Sequence, residues 1–219
     1  MPKKHGFDGV LLDLEYSGLA FDSVVSSITS FSTAFAHAAH DQQLTFYQSL
    51  YGDSVYRLRP YDLAVLGKQA DGIVVMAYDF HKANGDPGPN FPLAGEAIQG
   101  YDMGTMVDDF TKKIPSQKLI VAFGLFGYDW TLNDKGNSSG AAVALSLAQI
   151  KHKFSPHCPF ADCKIRRDPT SAETEITYVD SQKNKHIVWY EDMQSFAKKS
   201  AYLHTQGINA TALWAYSYF

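Results

Sequence analysis

The sequence has no surplus of positive charge. It contains 19 Lys and Arg residues against 23 Asp and Glu residues, which gives a formal net charge of −4. The basic residues are scattered along the chain rather than clustered. Because binding to a phosphate backbone depends on a concentrated positive field, the sequence argues against a nucleic acid as a partner.

Long apolar runs are also missing. No segment approaches the roughly 20 apolar residues that a membrane-spanning helix needs. Residues 1–5 lead directly into a predicted strand, without the apolar core of a signal peptide. We therefore expect no membrane span and no signal peptide in this chain.

Cysteine is scarce, because Cys158 and Cys163 are the only two. Three interpretations compete: a disulfide that closes a small loop, two free thiols, or a zinc site completed by His152 or His157. The spacing matches no zinc finger closely. The sequence therefore favours the disulfide and the free thiols about equally, and zinc least.

Glycine motifs that cradle phosphates are absent too. Neither GxGxxG nor GxxxxGK[ST] stands at a strand-to-helix turn. What is present is an alternation of nearly all-apolar strands with helices, which predicts an α/β fold with about five parallel strands and helices outside them. A closed barrel and an open doubly wound sheet would satisfy this pattern equally well.

The predicted strands cover residues 7–15, 44–47, 73–76, 118–124 and 210–216. The predicted helices cover residues 24–38, with Asp22 as N-cap, and 61–68, 103–113, 141–151 and 192–204. The apolar stripe of the first helix is expected at Val24, Ile28, Phe31 and Phe35. Between about 158 and 190 the rhythm breaks, and Glu175–Val179 with Lys185–Tyr190 predict a small β-hairpin insertion. We expect residues 1–219 to form a single domain.

The first predicted strand ends in two carboxylates. Asp13 and Glu15 are two residues apart, so in a strand they would share one face and emerge together at its C-terminal end. Parallel α/β folds keep their chemistry at that end of the sheet. Spacing alone, however, describes a solvated strand end equally well.

Motifs at four strand ends carry a more specific resemblance. The run Asp8–Glu15 reads DGVLLDLE, Met76–Asp79 reads MAYD, and Trp214 lies in the last strand. In this order the motifs resemble those of the chitinase-like family 18 glycoside hydrolases on the fourth, sixth and eighth strands of a (βα)8 TIM barrel. The stretch 124–132, which resembles the seventh strand of the barrel, and the stretch 188–192 look closest to the branch of spore-cortex and peptidoglycan N-acetylglucosaminidases.

The resemblance implies a partial barrel, because it begins at the fourth strand. Five strands cannot close an eight-stranded barrel. We therefore expect a missing N-terminal segment or self-association to complete it. An extracellular or cell-wall location is implied by the resemblance alone.

The resemblance also implies a reaction and a set of roles. Family 18 enzymes hydrolyse β-1,4 linkages at N-acetylglucosamine with retention, the substrate's own acetamido group acting as nucleophile. Glu15 would protonate the leaving oxygen, and Asp13 would orient the acetamide. Tyr78 and Asp79 would hold the acetamide carbonyl, and Trp214 would form the floor beneath the sugar. No metal or organic cofactor is needed.

Four further residues are candidate substrate contacts under the same resemblance. They are Met76, for which barrel core is the more usual role, and Tyr128, Asp129 and Trp130, which are expected to line a subsite. One position departs from the family pattern, because Leu11 stands where the family has Asp or Asn. This departure raises two hypotheses. The chain is a family 18-like enzyme with reduced activity, or it is a sugar-binding pseudoenzyme of the same fold.

Overall fold

The structure is a computed structural model that describes residues 5–218. Residues 1–4, on which the expectation about a signal peptide rests, lie outside the described residues. The helices are α1 (Asp22–Asp41), α2 (Leu63–Gln69), α3 (Glu96–Gln99), α4 (Met103–Thr111), α5 (Leu147–Phe154) and α6 (Met193–Thr205). Within residues 5–218, no helix combines the length and apolar character needed to cross a membrane.

Ten strands form two sheets of five within residues 5–218. They are β1 (Gly9–Leu12), β2 (Thr45–Tyr51), β3 (Gly72–Ala77), β4 (Leu119–Gly124), β5 (Phe126–Leu132), β6 (Val143–Ser146), β7 (Ala161–Arg167), β8 (Thr174–Val179), β9 (Lys185–Tyr190) and β10 (Ala210–Trp214). The first sheet has the order β1-β2-β3-β4-β10, and β2 pairs in parallel with both β1 and β3. The second has the order β6-β5-β9-β8-β7, and its paired strands run antiparallel.

The chain divides into two compact units. Unit 1 comprises the described residues up to Met76 together with Gly104–Ala122 and Leu203–Thr211. Unit 2 comprises Ala77–Met103, Phe123–Tyr202 and the described residues from Ala212 onward. Most of the parallel sheet therefore belongs to unit 1, and the whole antiparallel sheet belongs to unit 2.

Helix α1 of unit 1 differs from its prediction at the cap and on its buried face. Phe21 is the N-cap residue and makes no side-chain cap, so Asp22 lies in the first turn, where its charge still favours the helix dipole. The buried residues are Ile28, Ser32, Ala36 and Ala39. Phe31 is 52% exposed, and Ile28 is the one residue of the predicted stripe that is buried.

The predicted start of the fifth helix is also wrong. Val143–Ser146 forms strand β6, and α5 begins at Leu147 behind a capping box made by Ser146 and Gln149. The two reciprocal bonds of such a box satisfy backbone donors that the first turn leaves unpaired. The Ser146–Gln149 pair therefore sets the start of the helix.

The predicted hairpin in unit 2 is confirmed as β8 and β9, and it is part of a larger sheet. Residues 126–132 form the separate strand β5 of this sheet, whereas the prediction ran them on from the preceding parallel strand. Cys158 and Cys163 form a disulfide, which decides between the alternatives that the sequence left open. The half-buried pair packs against a core that includes Phe154, Tyr178 and Val188.

Candidate active site

The two carboxylates lie just beyond the end of β1. The strand stops at Leu12, so Asp13 and Glu15 follow it as exposed residues and are not its last positions, as the spacing suggested. The prediction of the strand length was wrong because Leu14 does not pair with a neighbour. The two carboxylates still lie just after the C-terminal end of a parallel strand.

The neighbouring strand β2 contacts both carboxylates. The Ser49 hydroxyl donates a hydrogen bond to Oδ1 of Asp13. The Tyr51 side chain makes a hydrogen bond with Glu15, and burial followed by this bond raises the pKa of Tyr51. Tyr51 therefore stays protonated, and its hydroxyl can donate a hydrogen bond to the carboxylate of Glu15.

Tyr61 fixes the backbone on both sides of Glu15. Its hydroxyl donates to the carbonyl of Leu14 at 2.7 Å and accepts from the amide of Tyr16 at 3.0 Å. Burial raises the pKa of Tyr61, so the hydroxyl stays protonated while it bridges the two backbone groups. The segment that carries Glu15 is therefore tied to unit 1 although it belongs to no strand.

Met76, the other predicted site residue of unit 1, is buried in β3. It is the register partner of Tyr51 on the neighbouring parallel strand β2. In this structure it is part of the core, which is the more usual role that the sequence analysis gave it.

In unit 2, Asp79 occupies an unusual backbone conformation two residues after the end of β3. Its φ of 60° lies in the left-handed region that residues other than glycine seldom adopt. Its amide donates to Oδ1 of Asn90 at 2.8 Å, and its Oδ1 accepts from the Tyr128 hydroxyl at 2.7 Å. Burial and the bond to Asp79 raise the pKa of Tyr128, so Tyr128 remains a donor.

Asn90 connects Asp79 to a buried charge cluster. Its side-chain amide donates to the carbonyls of Gly124 and Phe126, at 3.2 and 3.3 Å. Its own backbone amide donates to Glu173 at 2.6 Å. Asn90 and Glu173 therefore hold the loop that sets the conformation of Asp79.

The buried charge cluster consists of Glu173, Glu191 and Lys199, and all three are inaccessible to solvent. The Lys199 ammonium donates to Glu173 at 2.7 Å and also to Glu191. Burial raises the pKa of Glu191 to about 7, with Glu173 adding to the effect and Lys199 opposing it. Burial alone would lower the pKa of Lys199, but the two carboxylates raise it above its usual value.

Trp214 and Tyr78 present aromatic surface in unit 2. Trp214 is 51% exposed, and its carbonyl accepts from the Leu125 amide at 2.8 Å. The peptide bond from Trp214 to Ala215 is cis. Tyr78 packs edge-on against Phe126, with ring centroids 5.9 Å apart. An indole half in solvent has a face on which a sugar ring can stack.

Trp130 and Asp129 lie inside unit 2, where they differ from the prediction of a subsite lining. Trp130 is completely buried, and its indole nitrogen donates to the carbonyl of Gly85 at 3.2 Å. Asp129 is buried and binds Lys153 at 2.7 Å and His186 at 2.9 Å. Because β5 belongs to the antiparallel sheet, these side chains pack within unit 2 rather than at the end of a barrel strand.

Sequence reasoning missed Ser49, Tyr51, Tyr61, Asn90 and Glu173. A signal for the first two was available, because they stand two residues apart at the end of β2, as Asp13 and Glu15 do after β1. Ending the predicted strand at Tyr47 hid it. Within residues 5–218, no group of three or more His, Cys, Asp or Glu side chains is arranged to hold a metal ion.

Comparison with known proteins places this geometry in a family. The profile of the glycosyl hydrolases family 18 matches residues 1–218. The cortical fragment-lytic enzyme of Bacillus anthracis is 26% identical over 154 residues, which cover 70% of this chain and 33% of that protein. Chitinase C of Streptomyces lividans is 25% identical over 225 residues, which cover 96% of this chain and 35% of that protein.

The fold comparison agrees with the sequence comparison. The crystal structure of a chitinase from Chromobacterium violaceum superposes with a TM-score of 0.80 at 23% identity, covering 99% of this chain and 64% of that one. This likeness confirms the predicted fold class, a partial TIM barrel with a β-hairpin insertion. The chain spans between about a third and a half of the length of the first curated relatives that it matches. By its motifs, its fold and a match over residues 1–218, the chain belongs to the glycosyl hydrolases family 18.

Proposed function

We propose that the chain carries the catalytic residues of a glycosidase that cleaves β-1,4 linkages at N-acetylglucosamine in chitin or peptidoglycan. The observation that carries the proposal is the exposed carboxylate of Glu15, two residues after Asp13, within a family 18 motif and hydrogen-bonded to Tyr51. The names of two relatives, a cortical fragment-lytic enzyme and a chitinase, support the two classes of glycan.

In this proposal Glu15 is the only protein acid that the bond cleavage needs. Its proton goes to the glycosidic oxygen as the bond to the anomeric carbon breaks, and the acetamido oxygen of the substrate bonds to that carbon. Water then attacks the anomeric carbon of the oxazolinium intermediate and returns a proton to Glu15. Two displacements at one carbon retain its configuration.

Asp13 orients the acetamide in this scheme by accepting its N–H. Asp13 makes its hydrogen bond to Ser49 through Oδ1. Its other oxygen, Oδ2, is the atom we assign to the substrate.

Tyr78 and Asp79 hold the acetamide carbonyl and the positive charge of the intermediate. The Tyr128 bond to Asp79 supports the role of Asp79 by fixing one of its oxygens. Trp214 supplies the stacking surface, and its half-exposed indole supports that role. Tyr128 therefore acts through Asp79 rather than by lining a subsite.

The test is turnover of a fluorogenic N,N′-diacetylchitobioside by the wild type and the Glu15→Gln variant. We expect the substitution to abolish turnover while the fold is kept, because the amide cannot supply the proton. Glu96→Gln, at another exposed glutamate, is the matched control and should leave turnover unchanged. Wild-type turnover no higher than that of Glu15→Gln, with chitooligosaccharide binding retained, would identify a sugar-binding protein instead.

Leu11 sets the expected level of activity. We propose that the absence of a carboxylate or amide at this position reduces turnover, so that Leu11→Asp should increase it. The position is 55% exposed, so a carboxylate can be placed there without burying its charge. Unchanged turnover in Leu11→Asp would show that Leu11 is not the limiting departure.

A further inference from the structure

Strand β2 carries two hydrogen-bonding side chains in step with the two carboxylates. Leu11 pairs with Tyr47 and Leu12 with Gln48 in the parallel register. Continuing that register places Ser49 beside Asp13 and Tyr51 beside Glu15. Residues two apart on a strand share a face, so one strand offers one partner to each carboxylate.

The Ser49 contact gives Asp13 a partner that the family motif would place at Leu11. Ser49 is a buried residue, and its hydroxyl lies between Oδ1 of Asp13 and the carbonyl of Leu12, at 3.3 Å from the latter. A serine hydroxyl has a single proton, and the charged oxygen is the stronger acceptor. The Asp13 carboxylate is thereby held although position 11 is apolar.

The ring of Tyr51 is itself fixed by a second contact. The Arg59 guanidinium lies over the Tyr51 ring, 4.2 Å from its centroid. Arg59 in turn forms a bidentate pair with the buried carboxylate of Asp53, at 3.1 and 3.2 Å. A bidentate pair has little rotational freedom, so the guanidinium is a fixed platform for the ring.

We propose that Ser49 and Tyr51 are the positioning residues of the acid pair, Ser49 holding Asp13 and Tyr51 holding Glu15, with Arg59 and Asp53 fixing Tyr51. The inference rests on the proposed function for what the two carboxylates do. It goes further by assigning the control of their positions to strand β2. Ser49 thereby gives Asp13 a hydrogen-bonding partner on strand β2, while the side chain at position 11 offers none.

The kinetic test compares Tyr51→Phe and Ser49→Ala with the wild type. We expect each to reduce kcat about tenfold with little change in KM, because the lost bond orients a catalytic group and not the substrate. Tyr56→Phe, at an exposed tyrosine, is the control and should match the wild type. Ser49→Thr, which keeps the hydroxyl, should recover most of the loss, and so should adding Leu11→Asp to Ser49→Ala.

A second readout tests the contact even if the wild type has no turnover. The carboxyl carbon of Glu15 is observed by NMR at one fixed pH. Because a hydrogen bond to a carboxylate changes the chemical shift of its carbon, Tyr51→Phe should move the Glu15 carboxyl resonance, and Tyr56→Phe should not. An unmoved resonance, or a kcat loss that Ser49→Thr fails to recover, overturns the inference, whereas an inactive wild type with a moved resonance overturns only the proposed function.

Discussion

Removing the ammonium of Lys199 tests the electrostatics of the buried charge cluster. Lys199→Met keeps the length and most of the volume of the side chain but leaves Glu173 and Glu191 without their shared cation. Breaking a buried ion pair from one side costs about 3–5 kcal/mol, because the remaining charge is neither solvated nor paired. Glu173 keeps the backbone amides of Asn90 and Phe91, at 2.6 and 2.8 Å, so Glu191 bears most of the loss.

The loss should depend on pH, because Glu191 can escape it by binding a proton. Its pKa is already raised to about 7, so at pH 5 it is neutral in the wild type and Lys199 matters less to it. We expect Lys199→Met to reduce the free energy of unfolding by about 3–5 kcal/mol at pH 7.5 and by clearly less at pH 5.

Denaturant unfolding followed by tryptophan fluorescence measures this loss, since Trp130, Trp189 and Trp214 all belong to unit 2. Lys198→Met, at the exposed neighbour on α6, is the control and should change little. A loss below about 1 kcal/mol at pH 7.5, or equal losses at both pH values, would refute the assignment of the cluster as a charged, desolvated unit.

Three further predictions concern stability. Glu191 has a native pKa of about 7, above the ordinary 4.5, so between these pH values the native state holds a proton that the unfolded chain releases. This group therefore makes the free energy of unfolding fall as pH rises from about 4.5 to 7. Glu191→Gln should flatten that slope in a pH series of denaturation curves, and an unchanged slope would contradict it. Asp62→Ala removes the cap that accepts from the first-turn amides of α2 and should cost about 1 kcal/mol, more than Asp22→Ala at the uncapped α1, by the same curves. Gly127→Ala would place a Cβ 2.1 Å from the carbonyl oxygen of Trp189. We therefore expect the free energy of unfolding to fall by about 1–3 kcal/mol or more, with a lower Tm in calorimetry. A wild-type Tm would show that β5 and β9 can separate without cost.

The strands of the parallel sheet could be predicted from the sequence because their composition marks them. The run Ile73–Met76 is continuously apolar, as a strand covered on both faces must be, and the structure places it in β3. The sequence analysis did not identify the cap of α2, and it predicted a shorter α1 than the structure has. Phe31 lies at helical spacing from Ile28 but is exposed, because spacing defines a stripe and not which part of it meets the sheet.

The site was predictable where a motif marks it and not where partners come from distant segments. Asp13, Glu15, Tyr78, Asp79 and Trp214 were named from motifs, and their roles remain predictions. The partners of these groups, such as Ser49 for Asp13 and Asn90 for Asp79, are 36 and 11 residues away in the chain. Hydrogen bonds across such separations depend on strand register and loop path, which local patterns do not encode.

Trp130 shows the same limit from the other direction. Its neighbours in the sequence resemble a seventh barrel strand, and an aromatic run at such a strand end would line a sugar site. The structure instead turns the chain after Gly124 into an antiparallel sheet, where the indole is buried. The composition of a strand is compatible with either sheet, and only the pairing partner decides between them.

The division of the chain into interleaved segments has a consequence for biosynthesis. Unit 1 is assembled from three segments, and the last of these, Leu203–Thr211, is translated after the whole of Phe123–Tyr202. At about 5–20 residues per second, a nascent chain spends several seconds with the β4 edge of its parallel sheet waiting for β10. Neither unit can be released whole by a single proteolytic cut, and unit 1 can finish folding only after Leu203–Thr211 has been translated.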